Sequence, residues 1–216
     1  ISVIFSVAKA NSLEIMEIVK SYSEKIMVAF GGVHATFDYK NIIEEGADVV
    51  FLKEADHTFP DFIKYAHDRK NFAASIHGFA YRSDKGLRKI DYRDPPDFKN
   101  LPIPAWDLVD TGNYHNVSRL CVLKNEINDL GPTAIIQTLR GCVARCTFCS
   151  VRNFNGFGIR TRRVKDVVDE IELLINNYGV RFIEVVDDDF TADVPRAIEI
   201  CKEIVKRKIN IIWSLD

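Results

Sequence analysis

Long apolar runs are missing from this chain. The longest, "ISVIFSVA" at the start and "INIIW" near the end, fall far short of the roughly 20 residues a membrane span needs, so neither a membrane partner nor a leader is expected. An excess of one charge is missing too: 29 Lys and Arg stand against 31 Asp and Glu, a formal charge of −2. That balance gives no electrostatic reason to expect nucleic acid as a partner. Short repeats and low-complexity tracts are absent, and 47% hydrophobic with 28% charged residues excludes a disordered chain. Cysteine is scarce and uneven, with five in all, none before Cys121, and three between Cys142 and Cys149. An odd, crowded set suits a metal site in a reducing compartment better than a disulfide framework, so the chain reads as cytoplasmic. Ile1 in place of an initiating Met, and a stop at Asp216 directly after a strand-like run, read as a piece of a longer protein.

What is present is an alternation. Up to about residue 70, β-branched runs ("ISVIFSV", "IMVAF", "DVVFL") alternate with helical patterns ("SLEIMEIVKSYSEK", "DYKNIIEEG", "TFPDFIKYAHDRK"), which predicts a parallel sheet with helices on its faces. In the first helix Leu13, Ile15, Met16 and Val19 are expected to form the core stripe. "GFAYRSDKGLRKI" predicts a hairpin turning at Asp84 to Gly86. The stretch 91–110 holds Pro95, Pro96, Pro102 and Pro104, which forbids regular helix or central strand and marks the domain boundary. Beyond it, "TAIIQTL", "VKDVVDEIELLINNY", "RFIEVV", "PRAIEICKEIVKRK" and "INIIWSL" predict three strands and two helices of a second parallel α/β unit.

Cys142, Cys146 and Cys149 stand as CxxxCxxC directly after the first of those strands, where parallel α/β architectures place their chemistry. A structural zinc site wants four closed ligands, and neither a second knuckle nor a nearby histidine is present; the closest is His115. Three thiolates on a four-iron cube would leave one iron open to an external ligand. Cys121 and Cys201, in apolar helical or strand-like contexts, read as buried apolar residues. Asp189 and Asp193 read as helix caps. The run Arg160, Arg162, Arg163 reads as a solvated face, and Gly156 and Gly158 as a flexible turn.

"RGCVARCTFCS" resembles the cluster loop of the radical S-adenosylmethionine (SAM) superfamily, CxxxCxΦC, with Phe148 as the aromatic. The resemblance implies that Cys142, Cys146 and Cys149 ligate a [4Fe-4S] cluster whose open iron takes SAM, which is then cleaved reductively to methionine and a 5′-deoxyadenosyl radical. "DDDFT" resembles the acidic motif of cobalamin-binding members, which implies that Asp187 and Asp188, with Phe148, contact SAM.

The first half carries the matching half of that likeness. "SVI" (Ser2–Ile4), then Gly31 and Gly32 in "GGVHAT", resemble the SxL and GG elements of cobalamin-binding domains, and "LPIPAWDLVD" resembles the family's interdomain linker. Ser2, Gly31 and Gly32 are thereby implied as cobalamin contacts. "KEAD" (Lys53–Asp56) stands where relatives have "GEGE". The loop carrying the family's lower axial histidine would precede Ile1, and His34 is read as a polar surface residue rather than that ligand.

The implied fold is α/β: a Rossmann-like (flavodoxin-like) cobalamin-binding domain over 1–90, a Pro-rich linker over 91–131, and the first part of a radical SAM (β/α) partial TIM barrel over 132–216. The implied function is radical methylation, cyclisation or rearrangement of a small-molecule substrate with SAM and cobalamin, fed by a reductant such as flavodoxin or ferredoxin. A methylthiotransferase-like enzyme would carry a different amino-terminal domain with its own cysteines, and a non-catalytic iron–sulfur or cofactor-binding module is the other alternative. Anaerobic reconstitution with iron and sulfide is expected to give four-iron absorption and a paramagnetic signal on reduction. Cys142→Ala, Cys146→Ala and Cys149→Ala are each expected to abolish both; retention in any one of them contradicts the ligand set.

Overall fold

The computed structural model describes residues 1–65, 76–92, 94–114 and 131–215. Cys121, His115 and the end of the predicted helix after Tyr65 lie outside these described residues. The chain forms two compact units, Ile1–Pro96 with Asn153–Asn155, and Asp97–Arg152 with Gly156–Asp216.

In the first unit, alternation along one strand organises two cores. β2 (Val49–Phe51) is buried throughout. Val50 joins Val3, Met16, Phe30, Ala35, Ile42 and Ile43 on one side, while Val49 and Phe51 join Phe62, Ile76 and Phe79 on the other. Such two-sided burial is what a strand period of two produces when both faces of a sheet are covered. β1 (Ala29–Phe30) runs parallel to β2, and β3 (Phe79–Ser83) and β4 (Gly86–Ile90) are added antiparallel, in the order β1-β2-β3-β4. The hairpin is where the sequence pattern placed it; it makes the sheet mixed instead of wholly parallel. Its turn is braced by Ser83, whose hydroxyl donates to the Gly86 carbonyl at 2.8 Å and accepts from the Lys85 N–H at 3.2 Å.

Two expectations for this unit are corrected. The run "ISVIFSV" is not a full strand: it contributes a parallel bridge from Ser2 to Gly31 and then turns through Ser6–Ala8 into α1 (Lys9–Tyr22). Val3 alone of that run is buried, while Phe5 and Val7 are 68% and 89% exposed, so these side chains gain nothing from extending the sheet. In α1 the buried face is Ser12 and Met16, flanked by the partly buried Leu13 and Val19. Ile15 is 50% exposed, because at about 100° per residue it stands a full step around the helix from Met16. The short helices α2 (Val33–Phe37) and α3 (Tyr39–Glu44) cover the same core, and α4 (Thr58–Tyr65) lays Phe62 edge-on against Phe51.

The second unit is a parallel sheet of β5 (Thr133–Ile136), β8 (Phe182–Val185) and β9 (Ile212–Leu215), in the order β5-β8-β9. Two amphipathic helices return the chain between these strands: α6 (Val164–Tyr178), and α7 (Val194–Lys206), which starts on an Asp193 cap with Pro195 in its first turn. α6 ends on Gly179 in the left-handed conformation at φ 65°, the usual helix stop. Val167, Val168, Ile171 and Leu174 of α6 meet Ala197, Ile200 and Ile204 of α7 over Ile183 and Val185. Cys201 is exposed. It lies on the flank of that stripe in α7, beside an open apolar groove lined by Phe190, Val205 and Leu215, and the expectation that it is buried is thereby corrected. Between β5 and α6 lie β6 (Leu139–Arg140) and β7 (Arg160–Thr161), an antiparallel pair enclosing α5 (Val151–Asn155). From the proline-rich stretch, Trp106 packs against the α6/α7 core.

Truncating Ile171, which is fully buried, is expected to destabilise the second unit by about 2–5 kcal/mol through lost transfer energy and an unfilled cavity. Ile198→Ala on the exposed side of α7 should stay within about 0.5 kcal/mol. Denaturant unfolding midpoints of the two variants against wild type check this.

Candidate functional site

The cysteines occupy one loop closed at its neck. Leu139 pairs with Thr161 and Arg140 with Arg160, and a parallel bridge joins Cys142 to Phe157. Gly141, at φ 92°, presses against the far side of the loop: a Cβ there would lie 2.2 Å from the Gly158 carbonyl oxygen, so no side chain fits. Sequence reading passes over Gly141; its place directly before the first cysteine is the available signal. Gly158 and Gly156 both adopt positive φ, and a Cβ at either would meet nothing; their requirement is conformational.

Beyond the neck the loop faces solvent. Val143 to Ser150 are all exposed, Cys142 is half-buried, and Phe148 is 91% exposed. Cys142, Cys146 and Cys149 are free thiols. The Cys149 N–H donates to the Cys146 carbonyl at 3.3 Å, and the Ala144 N–H donates to Cys142 Sγ at 3.4 Å. Among the described residues, no three His, Cys, Asp or Glu side chains are gathered closely enough to hold a metal ion. The fit to an iron–sulfur cluster therefore lies in the donor set: three unpaired, accessible thiols on one anchored loop.

The end of β8 supplies the acidic residues, and they point to the loop's own backbone. Asp187 is buried and accepts from the Thr138 N–H at 2.6 Å, the Leu139 N–H at 2.8 Å and the Thr138 hydroxyl. Burial pushes its carboxyl above the ordinary value, against the pull of those hydrogen bonds and of the Arg196 charge. Burial likewise lowers Arg196, in part offset by Asp187. Asp188 accepts from the Gly141 N–H at 2.6 Å. Asp189 caps the turn Phe190–Asp193 by accepting from Thr191, and Asp193 caps α7 by accepting from the Arg196 N–H, as the capping reading of these two residues expected.

A buried ionic group that the sequence pattern did not show lies beside them. Arg162 is not on a solvated face: it is 7% exposed and paired with Glu170, itself 1% exposed. Glu170 also accepts from the Trp106 indole N–H at 2.8 Å, and Arg162 donates to the Gln137 carbonyl at 3.2 Å. Arg163, by contrast, is exposed and pairs with Asp166 at 2.6 Å. A run of three arginines carries no mark of which one turns inward; the partner sits eight positions away on α6.

In the first unit Ser2, Gly31 and Gly32 are brought together. The Val3 N–H donates to the Gly31 carbonyl at 2.7 Å and the Gly31 N–H to the Ile1 carbonyl at 3.0 Å. Gly32 has φ 103°, and a Cβ on it would lie 2.7 Å from the Val3 carbonyl oxygen. Its glycine is thus required by the chain's own packing, whatever ligand it also admits. His34 lies close by, with Nδ1 3.0 Å from the Ser6 hydroxyl and Nε2 3.4 Å from Asp38. Lys53, at the start of "KEAD", takes φ 59°, a left-handed position natural to the glycine of "GEGE".

Against known proteins, residues 1–63 match the B12 binding domain family and residues 136–215 match the Radical SAM superfamily. The chain is 28% identical over 214 residues to an uncharacterized methyltransferase of Pyrococcus horikoshii, covering 96% of this chain and 43% of the relative. It is 28% identical over 208 residues to the anaerobic magnesium-protoporphyrin IX monomethyl ester cyclase of Rubrivivax gelatinosus, covering 93% of this chain and 35% of the relative. Among solved structures, the cobalamin-dependent SAM radical enzyme OxsB, with aqua-cobalamin and SAM bound, superposes with a TM-score of 0.73 at 22% identity, over 98% of this chain and 29% of that one. The chain thus spans less than half the length of each of these relatives.

Replacing Glu170 with Ala leaves the Arg162 guanidinium buried without its counter-ion and the Trp106 N–H without its acceptor. A loss of about 3–5 kcal/mol is expected, with a change in tryptophan emission. Asp166→Ala, which frees only the exposed Arg163, should cost no more than about 1 kcal/mol. Thermal or denaturant unfolding monitored by fluorescence distinguishes the two.

Proposed function

Since the chain belongs to the cobalamin-binding radical SAM proteins, we propose that it holds a [4Fe-4S] cluster, SAM and cobalamin for radical methylation, cyclisation or rearrangement of a small organic substrate. The observation that carries this is the CxxxCxxC loop hung from the carboxyl end of the first strand of a parallel β/α unit, with its three thiols free, Cys146 and Cys149 exposed and Cys142 half-buried. When bound, these groups would supply the electron for reductive SAM cleavage and a methyl or cobalt centre for the substrate's later transformation, chemistry that side chains alone do not perform.

The chain's own residues do the holding. Cys142, Cys146 and Cys149 would bind the cluster as thiolates, leaving one iron to SAM. Phe148, exposed between two of them, offers an apolar face for the adenosyl group. Asp188, half-buried at the loop's neck, is the acidic residue better placed than Asp187 to meet the SAM ammonium, because Asp187 is buried with both oxygens accepting hydrogen bonds. In the first unit, the Ser2–Gly31 bridge and the left-handed Gly32 present backbone and a small hydroxyl where cobalamin would approach. We take residues 1–90 as the cobalamin domain, 91–131 as the connecting segment and 132–216 as the radical SAM domain. No helix among the described residues is long and apolar enough to cross a membrane. The odd, crowded cysteine set favours a reducing compartment, and we take the cytoplasm as the setting and flavodoxin or ferredoxin as the electron donor.

The reconstituted chain, given dithionite and SAM without substrate, is expected to release 5′-deoxyadenosine and methionine. A cluster-loaded chain that releases neither is a passive cofactor binder. A cobalamin absorption spectrum that survives gel filtration is expected as well, and its absence, with cleavage intact, removes the cobalamin half of the proposal.

A further inference from the structure

Four backbone groups immediately before Cys142 are tied to side chains from other elements. The N–H groups of Thr138 and Leu139 donate to Asp187, and the N–H of Gly141 donates to Asp188. On the acceptor side, the Thr138 carbonyl takes the Arg196 Nη2 at 2.9 Å and the Arg162 N–H at 3.0 Å. Arg196 also donates from Nε to the Arg162 carbonyl at 3.1 Å. Thr138 stands just before β6 and Arg162 just after β7, so a single guanidinium from α7 grips both ends of the cysteine loop. Asp187 and Arg196 are each less than a tenth exposed, where a hydrogen bond to a charged group is worth more than at the surface. Both backbone N–H groups meet one carboxylate oxygen, Oδ1, and the Thr138 hydroxyl meets the other. An amide there would keep an oxygen for the two N–H groups and set its NH2 against the hydroxyl, so what it loses is the charge that strengthens these bonds.

We propose that Asp187, Asp188 and Arg196 are positioning residues that fix the neck of the cysteine loop, and that Asp187 serves the cluster through this backbone rather than by binding the SAM ammonium. The proposal rests on the cluster reading under the proposed function. It explains why two adjacent carboxylates end β8: one holds the chain as it passes from β5 into β6, the other holds the glycine that abuts Gly158. It also removes Asp187 from the SAM contacts that the "DD" motif implied, leaving Asp188 there.

Hydrogen exchange and iron retention test it together. In the Asp187→Asn chain the Thr138 and Leu139 amides should exchange about tenfold faster or more, the consequence of losing a charged acceptor, with β8 amides unchanged. In Asp188→Asn the Gly141 amide should show the same acceleration. After anaerobic reconstitution without SAM, Asp187→Asn should keep less than about half of the wild-type iron, again on the scale of one charge-assisted hydrogen bond. Wild-type exchange and full iron in Asp187→Asn, with weakened SAM retention by equilibrium dialysis, would overturn the proposal in favour of direct contact. If Asp187→Asn loses its far-UV circular dichroism, Thr138→Val, which removes only the hydroxyl donor, is read by the same two measurements, with unchanged exchange and iron counting against positioning. The exchange measurement needs no cluster. A wild-type chain that binds no iron therefore defeats the proposed function, while the backbone effect of Asp187 is still decided by its own readout.

Discussion

The acceptance of backbone N–H groups by the aspartates that end β8 is the constraint on which the candidate site depends. A strand that leaves a parallel sheet must give its donors to something, since unpaired buried amides cost a full desolvation penalty. Here Thr138 and Leu139 give theirs to Asp187, and Gly141 to Asp188. The cysteine loop can then be exposed along its length without loosening at its base. Arg196 balances the buried carboxylate and closes the opposite side. The exposed loop thus stands on a hydrogen-bonded base drawn from β8 and α7, the kind of support by which a site can be held in place.

Burial explains how so short a stretch of chain sustains this frame. Arg162, Glu170, Arg196 and Asp187 are all less than a tenth exposed, and such groups persist only when they are paired and hydrogen-bonded. Arg162 and Glu170 pair with each other, with the Gln137 carbonyl and the Trp106 indole as further partners. Asp187 accepts from Thr138 and Leu139, and Arg196 donates from Nε and Nη2 to the Arg162 and Thr138 carbonyls, its Nη1 alone being without a hydrogen bond. Trp106 comes from the proline-rich stretch, so that stretch is more than a tether: in the second unit it supplies a donor to the buried pair and an aromatic face to the core. The apolar layer of Val167, Ile171, Leu174, Ile183 and Ile200 beneath holds α6 and α7 at the spacing this network needs.

The first unit obeys a simpler logic. The features found at its candidate positions are backbone features: a bridge at Ser2 and Gly31, a positive-φ Gly32 against the Val3 carbonyl, a positive-φ Lys53. Such features bring stretches of main chain close to one another without demanding particular side chains, as the Gly31 and Gly32 contacts with Ile1 and Val3 show.

By itself the sequence determined the elements with strong local signals. The period of 3.6 in α6 and α7 and the hairpin chemistry around Gly86 act between near neighbours, and each is found where the pattern put it. Tertiary structure alone decided which of several similar residues turns inward. Nothing local separates Arg162 from Arg163, or Asp187 from Asp188; their fates depend on Glu170, Thr138 and Arg196, which the fold brings from elsewhere in the chain. The same reason left Ile15 and Cys201 exposed and "ISVIFSV" mostly unpaired: burial is a property of what lies opposite, and what lies opposite is set by the packing of distant segments.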